Sequence, residues 1–288
     1  LIYFCADDYG LCESVSEHID QCINSGVLNK VSIFPNFDDV DLCKIVRNKN
    51  IRLSLHINLV EGRSMADLGT TDLIADPDGN FIHRFGGLFR LSIFCGKKLE
   101  VQVYNEIKAQ VKYWKSILPD GVPFCIDSHQ HTHMIPAVFR AMLRVLEDEG
   151  ITPEYIRIPA EPLSPFLTTP SLYFTYNAVN IVKQWLLKAL WLINKKRAKK
   201  HKIQTSLFFG ILFSGKMDAE RVGKILPKYI EKAEKSGMDT EVLFHPGYID
   251  KNGAVPVGKN IVFKDFYLSR NRKTEFESVL KISEGSVR

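Results

Sequence analysis

The sequence predicts an α/β fold: a TIM-like (β/α) barrel, seven-stranded or distorted, forming a single domain over residues 1–288. Three observations predict it. Short apolar runs alternate with stretches of helical period along the whole chain. The runs are almost continuously apolar and rich in β-branched and aromatic residues, as parallel strands covered on both faces are. Ionisable residues gather where these runs end, and α/β barrels carry their reactive groups at the C-terminal ends of strands. An open, doubly wound sheet has the same periodicity and is the alternative.

Leu1–Ala6 reads as the first strand and Ser14–Ser25 as its helix, stopped by Gly26, a residue that tolerates the left-handed C′ position. The strands Val31–Phe34 and Ile51–Asn58 flank a helix at Asp39–Asn48. Asp67–Gly87, rich in Gly and Asp, reads as a long loop and a candidate lid. Helix Leu99–Leu118, strand Phe124–Ser128 and helix Pro136–Glu149, closed by Gly150, come next. Strand Tyr155–Ile158 runs into a second loop at Pro159–Pro170. A helix at Tyr173–Lys200, strand Ser206–Ile211, helix Asp218–Ser236, strand Glu241–Phe244 and a last helix at Arg272–Ile282 complete the chain.

The formal charge of +5 is localised. Residues 195–202 read KKRAKKHK and hold six of the 38 Lys and Arg; the remainder carries 32 basic against 33 acidic side chains. That excludes a generally basic nucleic-acid binder, which spreads its charge over a face. A composition of 45% apolar and 11% aromatic residues excludes disorder. The cysteines at 5, 12, 22, 43, 95 and 125 show no CxxC spacing and are expected as reduced, mostly buried thiols. The chain opens directly on a core-like strand, so no secretory leader is expected and a natural start a few residues upstream is. No stretch of 18 uncharged apolar residues occurs. A cytoplasmic location is expected, with a peripheral position on the inner membrane face as the alternative.

The segment at about 171–202 is the least typical. On a helical wheel Asn177, Asn180, Lys183, Gln184, Lys188, Asn194 and Lys195 share one arc. Ile181, Val182, Trp185, Leu186, Ala189, Leu192 and Ile193 lie opposite, which predicts a helix packed on the sheet by its apolar side. Leu187 and Trp191 fall within the polar arc, and the basic run follows at once. Peripheral membrane contact through 173–202 and a homodimer face are the other readings.

The polar residues mark a rim. The first strand ends in Asp7-Asp8-Tyr9-Gly10; the third carries His56 and Asn58, then Glu61. The fourth ends in Asp127-Ser128-His129-Gln130-His131-Thr132-His133, the fifth in Arg157, the last in His245-Pro246-Gly247. Each has a plainer reading alone. Asp7 or Asp8 can cap the next helix, His56 can be a core histidine, and His245 a turn residue. Adjacent carboxylates at a strand end point different ways, so one can bind a metal while the other acts as a base. His129, His131 and His133 alternate, so an extended backbone would turn all three to one side and offer one or two metal ligands. One Asp with two His would leave coordination positions open, as catalytic zinc sites do.

Six motifs together resemble the YdjC/ChbG-like carbohydrate deacetylase family, including its HpnK-type members. They are ADDYG at 6–10, LHINLVEG at 55–62, DSHQHTHM at 127–134, RIP at 157–159, FFGILFSGKM at 208–217 and HPGY at 245–248. The resemblance covers nearly the whole chain, and ADDYG with DSHxHxH is its specific part. It implies a metal-dependent N-deacetylase on a TIM-like barrel, acting on an N-acetylated amino sugar of an oligosaccharide or lipid-linked glycan. Asp8, His56 and His129 would bind one divalent ion, zinc or magnesium. Asp7 would be the general base, Arg157 its orienting charge and His245 the general acid. His131, His133, Asn58 and Glu61 would support these residues or face the substrate. Tyr9 stands where Phe is common, and 171–202 is unusually rich in Trp, Leu and Lys. The alternatives are another metal-dependent hydrolase on the same barrel, a phosphoesterase or amidohydrolase, and a catalytically silent sugar-binding protein.

Overall fold

Seven apolar runs pair side by side in the computed structural model, which describes residues 1–37, 41–250, 262 and 264–283. The strands are β1 (Ile2–Tyr9), β2 (Lys30–Ile33), β3 (Arg52–Ile57), β4 (Cys125–Ser128), β5 (Tyr155–Ile156), β6 (Leu207–Phe209) and β7 (Thr240–Phe244). Every pairing is parallel, in the order β5-β4-β3-β2-β1-β7-β6. That is the cyclic order of a singly wound barrel, broken once between β5 and β6, so the doubly wound alternative does not hold. Nor is the barrel closed. The sheet curls into an open half-barrel whose seam is bridged by the Ile156 amide donating to the Gln204 carbonyl at 3.1 Å. The seam follows from chain length: β5 and β6 have two and three residues, too short to continue the ladder.

Helices cover the outer face, because parallel strands need crossovers that pack back on the sheet. They are α1 (Glu13–Asn24), α2 (Cys43–Val46), α3 (Phe85–Phe94), α4 (Gly96–Ile117), α5 (Pro136–Asp148), α6 (Ser164–Leu167), α7 (Ala178–Lys200), α8 (Ala219–Ser236), α9 (Lys264–Tyr267) and α10 (Arg270–Ser283). One continuous hydrophobic core joins them to the sheet, with Val15, Ile19, Val103, Ile107, Phe139 and Met142 fully buried in it. Asp218 accepts from the Arg221 amide at 3.0 Å to start α8, and Gly237 ends it in the left-handed conformation at φ 62°.

Several elements depart from expectation. The second helix is only Cys43–Val46, and Asp39 and Val40 lie outside the described residues. α3 is an additional helix; the glycines at 86 and 87 hid its first turn in the sequence. The 67–87 stretch is not a loose lid: Thr71, Ile74 and Phe81 are buried, and Ala75 bridges to Phe81. Glu106 on α4 pins its approach by accepting from the Met65 and Ala66 amides, both at 3.0 Å.

α7 is turned around. Its buried side is the polar arc, with Gln184, Leu187, Leu190, Asn194 and Ala198 inward. The side-chain amides explain this, because they donate to carbonyls of loops that have no ladder partner. Asn180 reaches Leu212 O at 3.2 Å and Ser214 O at 3.1 Å; Gln184 reaches Glu161 O at 2.7 Å, and Asn194 reaches Met134 O at 2.8 Å. Buried polar backbone must be paired, and the helix does the pairing. The arc expected to pack on the sheet faces out instead, with Val182 67%, Trp185 65% and Leu192 65% exposed.

Candidate active site

The inner face of the half-barrel is polar, and strand alternation puts it there. Cys5 and Asp7 of β1, Lys30 and Ser32 of β2, Ser54 and His56 of β3 and Asp127 of β4 are buried, each pair two residues apart. His56 and Asp127 are register partners across β3 and β4, so their side chains leave the sheet on one face as neighbours. His56 Nδ1 lies 2.6 Å from Asp127 Oδ1.

β1 breaks its register with β2 between Ala6 and Tyr9, where Asp8 sits at φ 75°. This bulge is strained for a residue other than glycine, at a cost on the order of 1–3 kcal/mol. It aims the two carboxylates differently. Asp7 points inward and is gripped by Arg157, Nη1 to Oδ2 at 2.7 Å and Nη2 to Oδ1 at 2.9 Å. Asp8 turns to the rim, where its Oδ1 accepts from His129 Nδ1 at 3.0 Å and its Oδ2 from Arg272 at 2.7 Å.

Arg157 is fully buried and balanced by more than Asp7. Its Nε donates to Glu241 at 2.8 Å, and its Nη2 lies 3.3 Å from Asp127. Lys30 adds a second cation, donating to Glu241 at 3.0 Å, and Tyr155 also donates to that carboxylate. Burial pushes the Asp7 carboxyl up, but the Arg157 charge, then that of His56, more than offsets it and holds Asp7 below the usual range. Asp8 is held well below it against burial by the charges of Arg272 and His129.

The His56 ring resists protonation by burial, yet the Asp7 charge and the bonds to Asp127 and Asp8 raise its pKa to about 10. The same balance, with Asp8 as the leading attraction, raises His129. This corner therefore attracts positive charge strongly. His56 Nε2 is buried without a hydrogen-bond partner among the described residues, 3.5 Å from Asp8 Oδ1 and 4.0 Å from Asp7 Oδ2. Asp8, His56 and His129 present ligand atoms within 4.8 Å of one another. The fit to a cation is good: Asp127 takes the proton on His56 Nδ1, which leaves Nε2 as a lone-pair donor, as partners of metal-bound imidazoles do. A second grouping, Asp7, His56 and Asp127, also lies within 4.8 Å, but Arg157 already pairs with both of its carboxylates.

The remaining expected residues separate by role. Glu61 is buried with Oε1 3.8 Å from His129 Nε2, while its Oε2 accepts from the Val262 amide at 2.5 Å. Asn58 is spent on its own loop, accepting from the Val60 and Glu61 amides at 3.0 and 2.9 Å. The three alternating histidines do not share a side. Residues 129–134 coil into a kinked 3₁₀ segment with Gln130 at φ 52° and His131 at φ 57°. His129 turns to Asp8. His133 turns inward, 2.5 Å from Ser128 Oγ and 2.7 Å from the Arg157 carbonyl, and burial lowers its pKa to about 4. His131 stands edge-on to Phe208 at 5.7 Å between ring centroids.

A cavity of about 630 Å³ opens above this corner. Asp7, His56, His129, His131, His245 and Arg272 line its floor and sides. His245 follows β7, its backbone amide donating to Glu275 at 2.6 Å and its Nδ1 lying 3.6 Å from the same carboxylate. Gly247 lets that loop lie flat on α1: a Cβ there would sit 2.5 Å from Val15 Cγ1. α7 supplies the opposite wall with Val179, Val182, Lys183 and Leu186.

Sequence reasoning missed Asp127 as the partner of His56, and also Glu241, Lys183, Arg272 and Glu275. Inward parity with His56 signalled Asp127. Arg272 and Glu275 come from α10 with no motif around them, and only the folded chain brings them to the rim. Among the described residues no helix is long and apolar enough to cross a membrane. Cys43 and Cys95 are exposed, and Cys5, Cys12, Cys22 and Cys125 are buried.

The chain is similar to a carbohydrate deacetylase of Danio rerio, 31% identical over 157 residues, spanning 54% of this chain and about half, 49%, of that one. A carbohydrate deacetylase of Mus musculus is 27% identical over 250 residues, 84% of this chain and 76% of its own. A crystal structure from Enterococcus faecalis, described provisionally as a cellobiose-phosphate cleavage protein, superposes with a TM-score of 0.61. It covers 99% of this chain and 94% of its own at 17% identity, a likeness of fold. Residues 1–282 match the model of the YdjC-like proteins, and the chain belongs to that family.

Proposed function

We propose that this chain is a metal-dependent hydrolase that removes the acetyl group from an N-acetylated amino sugar. One observation carries the reading: the bulge at Asp7-Asp8 splits adjacent carboxylates between an arginine clamp and a two-histidine corner. The names of the zebrafish and mouse relatives support the substrate class.

Asp8, His56 and His129 would hold one divalent cation. Two imidazoles and a carboxylate suit zinc or a neighbouring transition metal better than magnesium. Bound there, the cation supplies Lewis acidity to the acetamide carbonyl and acidity to a water. Asp7, kept ionised by Arg157, takes the proton of the attacking water. His245, across the cavity, donates a proton to the departing sugar nitrogen, so the amine leaves neutral. Glu61 and Asp127 orient the two imidazoles, and His131 with Lys183 meets the sugar from the wall. A pure sugar binder has no need of a clamped carboxylate facing a second proton carrier.

The test is acetate release from a panel of N-acetylated oligosaccharides, with and without a chelator, alongside metal content per chain. Chelator-sensitive release with one metal per chain is expected. Metal-independent release, or phosphate-ester hydrolysis with two metals and no acetate, would replace this reading.

A further inference from the structure

The inverted seating of α7 leaves a surface that the reaction does not use. Its outer face carries Val182, Trp185, Leu192 and Ile193, all more than half exposed, at successive helical turns. Phe174, just before the helix, is fully exposed. The stripe ends in Lys196, Arg197, Lys199 and Lys200, which with Ile193 line one shallow groove. Large apolar side chains in a row on a wet helix face mark an interaction site.

The charge identifies what covers it. No aspartate or glutamate occurs between Glu161 and Asp218, while nine Lys and Arg do. Apolar residues, exposed tryptophan and cations on one helix side match an interfacial helix at an anionic bilayer. Position adds a second argument. Val179, Val182 and Leu186 also form the apolar wall of the active-site cavity, so stripe and cavity wall are continuous. Side-chain amides of Asn180, Gln184 and Asn194 fasten the helix to the barrel from behind. The face is therefore rigidly presented, and whatever binds it lies beside the mouth of the site.

We propose that the outer face of α7 and its basic C-terminal turns dock this chain on a bilayer bearing anionic headgroups, with the cavity mouth turned towards that surface. The proposal stands apart from the chemistry: a lipid-facing mouth favours acceptors presented at the membrane surface, whatever bond is cut.

Flotation of the full chain tests it, with vesicles of phosphatidylcholine alone and of phosphatidylcholine with phosphatidylglycerol, at low and high salt. The chain is expected to float with the anionic vesicles at low salt and to be released by high salt. Each Lys or Arg of 196–200 changed to Gln should lower partitioning roughly fivefold, and the quadruple variant should match neutral vesicles. The Trp185→Glu, Leu192→Glu double variant should not float although its charges are intact. Both side chains are exposed and outside the cavity, so its circular dichroism and its acetate release from a soluble substrate should equal wild type. No flotation of the wild-type chain at low salt overturns the proposal. So does equal flotation of the double variant, which would make binding mere charge attraction. So does a lipid-free dimer that the double variant dissociates, which would make the stripe a self-association face. Flotation reads no turnover, so its failure leaves the hydrolase reading standing, and loss of acetate release leaves the docking result standing.

Discussion

Arg157 holds Asp7 through both carboxylate oxygens, at 2.7 and 2.9 Å, beneath the floor of the cavity that Asp7 lines. The guanidinium lies between Asp7, Glu241 and Asp127 and pairs with all three, with Lys30 as a second cation. Bidentate pairing fixes the carboxylate plane as well as its charge.

Arg157→Lys keeps a cation but loses the fork. Asp7 is pushed up by burial and held down chiefly by Arg157, so weakening that hold lets its pKa rise. The acidic limb of the kcat/KM profile should then move to higher pH, with turnover reduced even on the plateau. Arg157→Met should instead destabilise the fold by about 3–5 kcal/mol, because it leaves buried carboxylates uncompensated. pH–rate profiles and denaturant melts separate the two effects; an unmoved acidic limb in the lysine variant would remove Asp7 from the role of base.

His129→Ala and His245→Ala should fail differently. His129 faces Asp8 at 3.0 Å within the ligand cluster, so its loss should empty the site of metal and abolish acetate release together. His245 lines the cavity outside that cluster. Its replacement should leave metal content at wild type and lower kcat by roughly a hundredfold to ten-thousandfold, the usual worth of a general acid. Elemental analysis beside turnover decides; full metal in the His129 variant would displace it from the ligand set.

His133 makes stability depend on pH. In the fold its pKa is about 4, lowered by burial, while unfolded it returns to an ordinary value near 6.5. Between these limits the unfolded chain binds a proton that the folded chain refuses. Its contribution is therefore complete above pH 6.5 and is lost as pH falls through 4. The loss approaches about 3 kcal/mol. His133→Asn should lower stability at neutral pH, since it disturbs the bonds to Ser128 and the Arg157 carbonyl. It should also flatten the slope between pH 6.5 and 4, measured by urea melts across that range. Parallel wild-type and variant slopes would refute the assignment.

Strand positions were legible because burial on both faces writes an unambiguous apolar run; Val31–Phe34 and Glu241–Phe244 fall within a residue of β2 and β7. The first strand ran three residues past its apolar core, through Asp7 and Asp8, because an inward carboxylate clamped by arginine looks like a loop in sequence. The direction of α7 was not legible. A helical wheel reads polarity as exposure, whereas Gln184 and Asn194 are buried and Asn180 half-buried by bonds to loop carbonyls that no periodicity records. The open seam was equally hidden, since it depends on how short β5 and β6 are once paired. Arg272 and Glu275 reach the rim only through the packing of α10, and their sequence neighbours resemble any charged surface helix.

The Arg272–Asp8 pair joins residues 264 positions apart. During synthesis the aspartate leaves the ribosome long before its guanidinium does. Domains tend to fold as units as they emerge, but this one waits for α10 before Asp8 gains its arginine. Until then Asp8 lacks its guanidinium, while Asp7 and Asp127 already have Arg157. The rim around Asp8 is thus finished late, and a chain stopped before α10 would carry an unfinished centre.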